Sequence, residues 1–129
     1  MLLLDTSFLI DYFRGKPSAR KVTLSSDVVT TVVTYYEIMA GAKMAKAKRE
    51  ERFFRRFFSE VKVLDLDLKA AEASSEIAGM LRAVGRSVNP MDILIAGIAL
   101  ANGVERIVTK DRDFLEISKV SELDVVIYE

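Results

Sequence analysis

The sequence contains no cysteine and no histidine. Without cysteine there are no disulfides and no thiol nucleophile, and without either residue there is no zinc site of the Cys/His type. Lacking histidine, the chain can form no Ser-His-Asp triad and has no imidazole to act as general acid or base. A metal held here must take oxygen ligands, which favours Mg²⁺, Mn²⁺ or Ca²⁺. Glutamine is absent too, while Lys, Arg and Glu are plentiful, a bias found in proteins that work hot. No apolar run approaches the roughly 20 residues of a membrane span. The apolar start Met1-Leu2-Leu3-Leu4 has no basic flank and is closed by Asp5, which argues against a signal peptide. A cytoplasmic protein without a membrane role is expected. The formal net charge is zero, so overall charge makes no case for a nucleic-acid partner.

What is present points to a folded α/β protein. The chain has 129 residues, half of them apolar, which suits one domain over 1–129 with a sizeable core. Leu2 to Leu4 read as a short buried strand. Thr6 or Ser7 can cap a helix running to about Phe13, which Gly15 and Pro17 end. A short helix is expected over 18–25, and a second strand at Val28-Val29-Thr30. Thr31 is placed to cap a helix from Val32 to about Ala45, and a basic helix follows from about Lys46 to Ser59. Val61 to Leu64 read as a third strand. Asp67 should cap a helix to about Val84, stopped by Gly85. Asn89-Pro90 opens another, to about Ala101. Arg106–Thr109 and Val125–Tyr128 complete the strands. Strands alternating with helices imply a mainly parallel sheet covered on both faces.

Against this background three acids stand alone. Asp5 is the only charge before Asp11, Glu37 the only one between Asp27 and Lys43, and Asp92 the only one between Arg86 and Glu105. A fourth, Asp111, follows Ile107-Val108-Thr109-Lys110. Burying a lone carboxylate costs several kcal/mol, so isolated acids on apolar elements need a reason. Asp5 and Asp111 fall at carboxyl ends of strands, where open parallel sheets bind ligands. Glu37 lies in a helix that begins after the second strand, and so near that edge, and Asp92 sits in a first helical turn. Converging like charges would raise one another's pKa values, and a shared divalent cation removes that penalty. Each acid also has a plain structural role open to it. Asp5 and Asp92 can serve helix starts, and Asp111 can form a turn with Asp113 capping a short helix. Glu37 shares a stripe with Val33, Gly41 and Met44, so it is expected to face an apolar side. Asp11 reads as solvated, and Glu72 and Glu76 as an exposed pair.

Residues 43–56 carry seven Lys or Arg against Glu50 and Glu51. A solvated helix face is the expected reading, with contact to RNA phosphates as the alternative. Phe53, Phe54, Phe57 and Phe58 lie at helical spacing and should pack into the core or against a partner helix.

The motifs, taken in order, resemble those of PIN-domain ribonucleases, and most closely the VapC-type toxins of toxin–antitoxin pairs. They are a short strand with Asp5-Thr6-Ser7, the helix Tyr36-Glu37-Ile38-Met39-Ala40-Gly41, the helix start Asp92-Ile93-Leu94-Ile95-Ala96 with Ala99, and Thr109-Lys110-Asp111-Arg112-Asp113-Phe114 after a strand. The resemblance implies a PIN-like three-layer α/β/α fold and an Mg²⁺- or Mn²⁺-dependent endoribonuclease. It implies a homodimer inhibited by a small antitoxin. Asp5, Glu37, Asp92 and Asp111 would hold the metal, with Asp113 sharing or splitting the fourth position. The metal would activate water for attack on an RNA phosphodiester. Thr6 and Thr109 are placed to hydrogen-bond the ligand carboxylates. Other classes also gather acids at strand ends. A phosphoacceptor domain would need an acidic pair at the first strand, and an Asp-x-Asp phosphatase an acid where Ser7 stands. A non-catalytic module acting through a partner would need neither.

Overall fold

The computed structural model describes residues 1–22 and 27–128. Leu2–Leu4 form β1, and one residue, Asp5, separates it from α1, Thr6–Phe13. The cap of α1 is Asp5 rather than the expected Thr6 or Ser7: the Phe8 N–H donates to Asp5 Oδ1 at 2.8 Å. A carboxylate there satisfies a first-turn donor and also meets the positive end of the helix. Gly15 leaves α1 at φ +72°, a conformation glycine adopts without strain. Pro17 opens α2, Pro17–Arg20. The expected helix over 18–25 is therefore shorter, and residues 23–25 of that expectation lie outside the described residues.

Thr31 ends β2, Val28–Thr31, and caps α3, Val32–Met44, by accepting from the Thr34 N–H. Then come α4, Lys48–Glu60, and β3, Lys62–Leu64. Asp67 caps α5, Leu68–Ala83, and Asn89 with Pro90 opens α6, Pro90–Ala101. The chain closes with β4, Arg106–Thr109, α7, Asp113–Lys119, and β5, Asp124–Ile127.

The sheet has the order β3-β2-β1-β4-β5, and every paired strand is parallel. Register places Leu3 beside Val29 and Ile107, and Leu4 beside Val108. Successive side chains point to opposite faces of a strand, so the two sets feed two separate cores. Leu3, Val29 and Ile107 pack with Ile77 and Leu81 of α5, Ile95 and Ile98 of α6, and Phe114 of α7. Leu4 and Val108 pack with Phe8 and Leu9 of α1, Ile38 of α3 and Phe58 of α4. This is the three-layer α/β/α arrangement expected. Among the described residues no helix is long and apolar enough to cross a membrane.

Helices α5 and α6 meet through Gly97. An added Cβ there would lie 1.8 Å from Ser74 Oγ and 2.8 Å from the Ala70 carbonyl oxygen, and Ser74 Oγ donates to that same carbonyl at 2.8 Å. One neighbour is backbone, so a rotamer change cannot relieve the clash. Gly97→Ala is therefore expected to destabilise the protein by roughly 1–3 kcal/mol, in the range for overpacked cores. Urea denaturation will measure it, and a variant as stable as wild type would show that α5 and α6 can separate freely.

The basic segment folds differently from a uniform solvated face. Glu51 is buried and draws in Lys43 and Arg55 at 3.1 Å and Lys48 at 3.7 Å. Lys43 belongs to α3, so this cluster also joins α3 to α4. The phenylalanines pack inward: Phe13 of α1 lies 4.9–5.3 Å, ring to ring, from Phe53, Phe54 and Phe57. Phe58 is buried, whereas Phe53 remains half exposed.

Candidate metal centre

With the order β3-β2-β1-β4-β5, the chain winds outward in both directions from β1 and β4. A crevice forms at the carboxyl ends of strands where winding reverses. Asp5 follows β1 and Asp111 follows β4, so both acids stand at that crevice. Asp92 reaches it from the first turn of α6.

Carboxylate oxygens of Asp92, Asp111 and Asp113 all lie within 4.8 Å of one another. Asp111 and Asp113 both therefore stand beside Asp92. Local chemistry sets the loop. Asp111 Oδ1 accepts from the Asp113 N–H at 3.0 Å, so Asp111 supports the start of α7 and Asp113 does not cap it. Asp113 Oδ2 accepts from the Asn89 N–H at 3.1 Å, which ties the loop to the start of α6.

Asp5 lies deeper and is 2 % exposed. Both of its oxygens are occupied. Oδ1 accepts from Phe8 N–H and Ser7 Oγ, and Oδ2 from Ser7 Oγ at 3.1 Å and Thr109 Oγ1 at 2.5 Å. The Thr109 hydroxyl oxygen in turn accepts from the Asp111 N–H at 2.9 Å. Burial pushes the Asp5 carboxyl up to about 6 despite these donors, and the charge of Asp111 adds to the rise. Ser7 was absent from the sequence-derived set, although its place two residues after a strand-end acid is a usual position for an Asx-type contact.

Glu37 stands apart from the other acids. It is half buried, and its Oε1 accepts from Thr6 Oγ1 at 2.7 Å. Thr6 also bonds Thr34. The stripe expected to bury Glu37 does so only in part, because Met44 is 80 % exposed while Val33 is buried. Glu37 instead borders a cavity of about 630 Å³ with Phe13, Phe54, Arg14 and Arg49 in its wall. Asp11, read as solvated, is buried. Its oxygen lies 2.7 Å from both Lys110 Nζ and the Tyr128 hydroxyl. Only the fold, which brings Tyr128, just after β5, against α1, reveals that.

The decisive group is Asp92. It is 7 % exposed, and among the described residues nothing hydrogen-bonds its Oδ2. An unpaired buried oxygen of this kind is costly. Burial, then the adjoining Asp111 carboxyl and the charges of Asp5 and Asp113, push the Asp92 carboxyl far above the ordinary range. Asp92, Asp111 and Asp113 offer an all-oxygen donor set, with one oxygen lacking any partner. They fit a divalent cation, which would satisfy that oxygen and cancel the repulsion.

The chain matches the PIN domain family over residues 2–120. It belongs to that family. Among curated proteins, the PIN chain is 29% identical over 116 residues to the tRNA(fMet)-specific endonuclease VapC of Shigella flexneri, covering 87% of this chain and 88% of that protein. It is 32% identical over 116 residues to the plasmid stability protein StbB of Pseudomonas syringae pv. tomato, covering 80% and 83%. Its fold superposes on a chain of the DNA-bound VapBC of Salmonella typhimurium with TM-score 0.83 and 28% identity, over 98% and 96% of the two chains. The PIN chain thus spans nearly the full length of relatives whose names describe a VapC endonuclease and a VapBC assembly.

Proposed function

We propose that this protein is a metal-dependent endoribonuclease, the toxin of a toxin–antitoxin pair, and that residues 1–129 act as one PIN unit. The observation that carries the reading is the unpaired, buried Asp92 Oδ2, on a carboxylate that lies within 4.8 Å of those of Asp111 and Asp113. Similarity to the VapC endonuclease supports RNA as substrate. Similarity to a VapBC chain supports a small antitoxin as partner. A homodimer in the cytoplasm completes the proposal.

Mg²⁺ or Mn²⁺ suits the oxygen-only donors, and when bound it supplies Lewis acidity toward phosphoryl oxygens and water. Asp92, Asp111 and Asp113 hold it. Asp5 adds negative charge from below and, through Thr109, fixes the backbone that carries Asp111. Thr6, next to Asp5 in the chain, holds Glu37 through a 2.7 Å hydrogen bond, so that Glu37 would serve as a further carboxylate toward the cation or its water.

The test is cleavage of a mixed-sequence RNA with Mg²⁺ or Mn²⁺, with chelator, and by Asp5→Asn. Asparagine retains an oxygen to cap α1, so circular dichroism should show an intact fold. Cleavage that needs metal and disappears in the variant is expected. No cleavage, or cleavage that persists equally in Asp5→Asn and in chelator as a contaminant's would, would overturn the nuclease reading and move it to a non-catalytic module acting through its partner.

A further inference from the structure

Asp11 is a buried charge that the proposed chemistry leaves without a role. It lies on α1 and is 4 % exposed. Lys110 Nζ and the Tyr128 hydroxyl each lie 2.7 Å from its Oδ2. Lys16 Nζ is at 3.5 Å. Burial alone would raise the Asp11 carboxyl. Hydrogen bonds from Lys110 and Tyr128 and the charges of Lys110 and Lys16 outweigh it, and hold the group below the usual carboxylate range.

The anchorage of these partners gives the pair its meaning. Lys110 belongs to the short link between β4 and α7 that carries Asp111. Its own N–H donates to Ser7 Oγ at 3.3 Å, and Ser7 Oγ donates to Asp5. The Tyr128 N–H donates to the Thr109 carbonyl at 3.2 Å. At its far end the link is tied to α6 by the Asn89 N–H on Asp113. Asp111 is therefore carried between two anchors, one on α6 and one on α1. The α1 anchor joins a buried carboxylate to a lysine that is itself 42 % exposed, and its short charge-assisted hydrogen bond is what fixes the geometry.

We propose that Asp11 is a positioning residue for the cation site. Through its ion pair with Lys110 it holds the β4–α7 link so that Asp111 and Asp113 face Asp92. The same pair keeps the Lys110 ammonium, one residue from Asp111, on the α1 side, so that the acids are not neutralised from within. This inference rests on the cation-site reading above.

The experiment is a Mn²⁺ titration of the full chain, followed by the electron paramagnetic resonance signal of free Mn²⁺, with thermal denaturation in chelator alongside. Asp11→Asn and Lys110→Met should each weaken Mn²⁺ binding about tenfold, the scale for groups that orient metal ligands. The double variant should bind no more weakly than either single one, because both remove one interaction. Lys16→Met removes a charge near Asp11 that is not on the link, and should leave affinity unchanged. A merely structural role would lower the melting temperature and leave Mn²⁺ affinity of the folded variants as in wild type, which would overturn the proposal. An equal loss in Lys16→Met would overturn it as well, because Lys16 is not on the link and removing its positive charge should, if anything, favour a cation. Should Asp11→Asn fail to fold, Lys110→Met carries the test alone. Absence of Mn²⁺ binding by wild type would overturn the cation site itself, an outcome distinct from the others.

Discussion

Asp92→Asn is expected to abolish RNA cleavage while making the metal-free protein more stable. The two effects share one cause. Asp92 is buried, has an oxygen without a partner, and is crowded by Asp111, Asp5 and Asp113. Asparagine keeps the shape and removes the charge. In chelator at pH 8 the variant no longer bears the cost of a carboxyl group held among other acids, whether as a charge or by taking up a proton, and a gain of about 1–2 kcal/mol is expected, typical of relieved functional sites. Catalysis moves the opposite way. Losing a central ligand removes several kcal/mol of charge stabilisation, or about 1,000-fold in rate at roughly 1.4 kcal/mol per decade. RNA cleavage under single-turnover conditions and melting in chelator measure the two effects. Cleavage within a few-fold of wild type would remove Asp92 from the site. A variant less stable than wild type would mean that Asp92 is a structural cap.

Stability of the metal-free protein should fall as pH rises from 5 to 8. The sign follows from proton linkage. Asp5 has its carboxyl raised from 3.8 to about 6, so between those values the folded state binds more protons than the unfolded state. Stability then declines with rising pH across that window. Above pH 5 the Asp5 contribution is about 1.4 kcal/mol, one pH unit at roughly 1.4 kcal/mol per unit, or near 5 °C in melting temperature for a chain of this length. Asp92, raised further by burial and Asp111, carries the decline to higher pH. Asp11, Glu51 and Glu116 have lowered values and act oppositely. Their contribution is present above the ordinary carboxylate range and is lost only as pH falls below it, so they do not act between pH 5 and 8. The absence of histidine helps, because no imidazole titrates between pH 5 and 8. Added Mn²⁺ should reverse the decline, since a cation competes with protons for the same oxygens. Melting curves at pH 5, 6.5 and 8, with chelator and with Mn²⁺, decide the matter. A flat profile in chelator, or one that Mn²⁺ leaves unchanged, would contradict a crowded acid site.

Much of this could be read along the chain, because the signals are local. Asp67, Asn89-Pro90 and Thr31 open helices where expected. Each needs only its own side chain and the next few N–H groups. Isolation of Asp5 and Asp92 among apolar neighbours likewise marks them without any fold. The misreadings depend on distant partners. Asp11 looks like a surface acid until β5 brings Tyr128, and the β4–α7 link brings Lys110, across α1. Met44 continues an apolar helix stripe, yet at the end of α3 it stays exposed.

Taken alone, the sequence determined the alternation of strands and helices, the all-oxygen character of any metal site, and the acids able to form one. Those follow from residue chemistry and from spacing within a turn or a strand. The tertiary structure decided which acids meet. Strand order put the reversal of winding between β1 and β4, which set Asp5 beneath the crevice and brought Asp92, Asp111 and Asp113 within 4.8 Å of one another. It also left Glu37 at the edge, held by Thr6. Such distances depend on how separate elements pack, and a linear chain carries that only through the long-range burial that folding brings about.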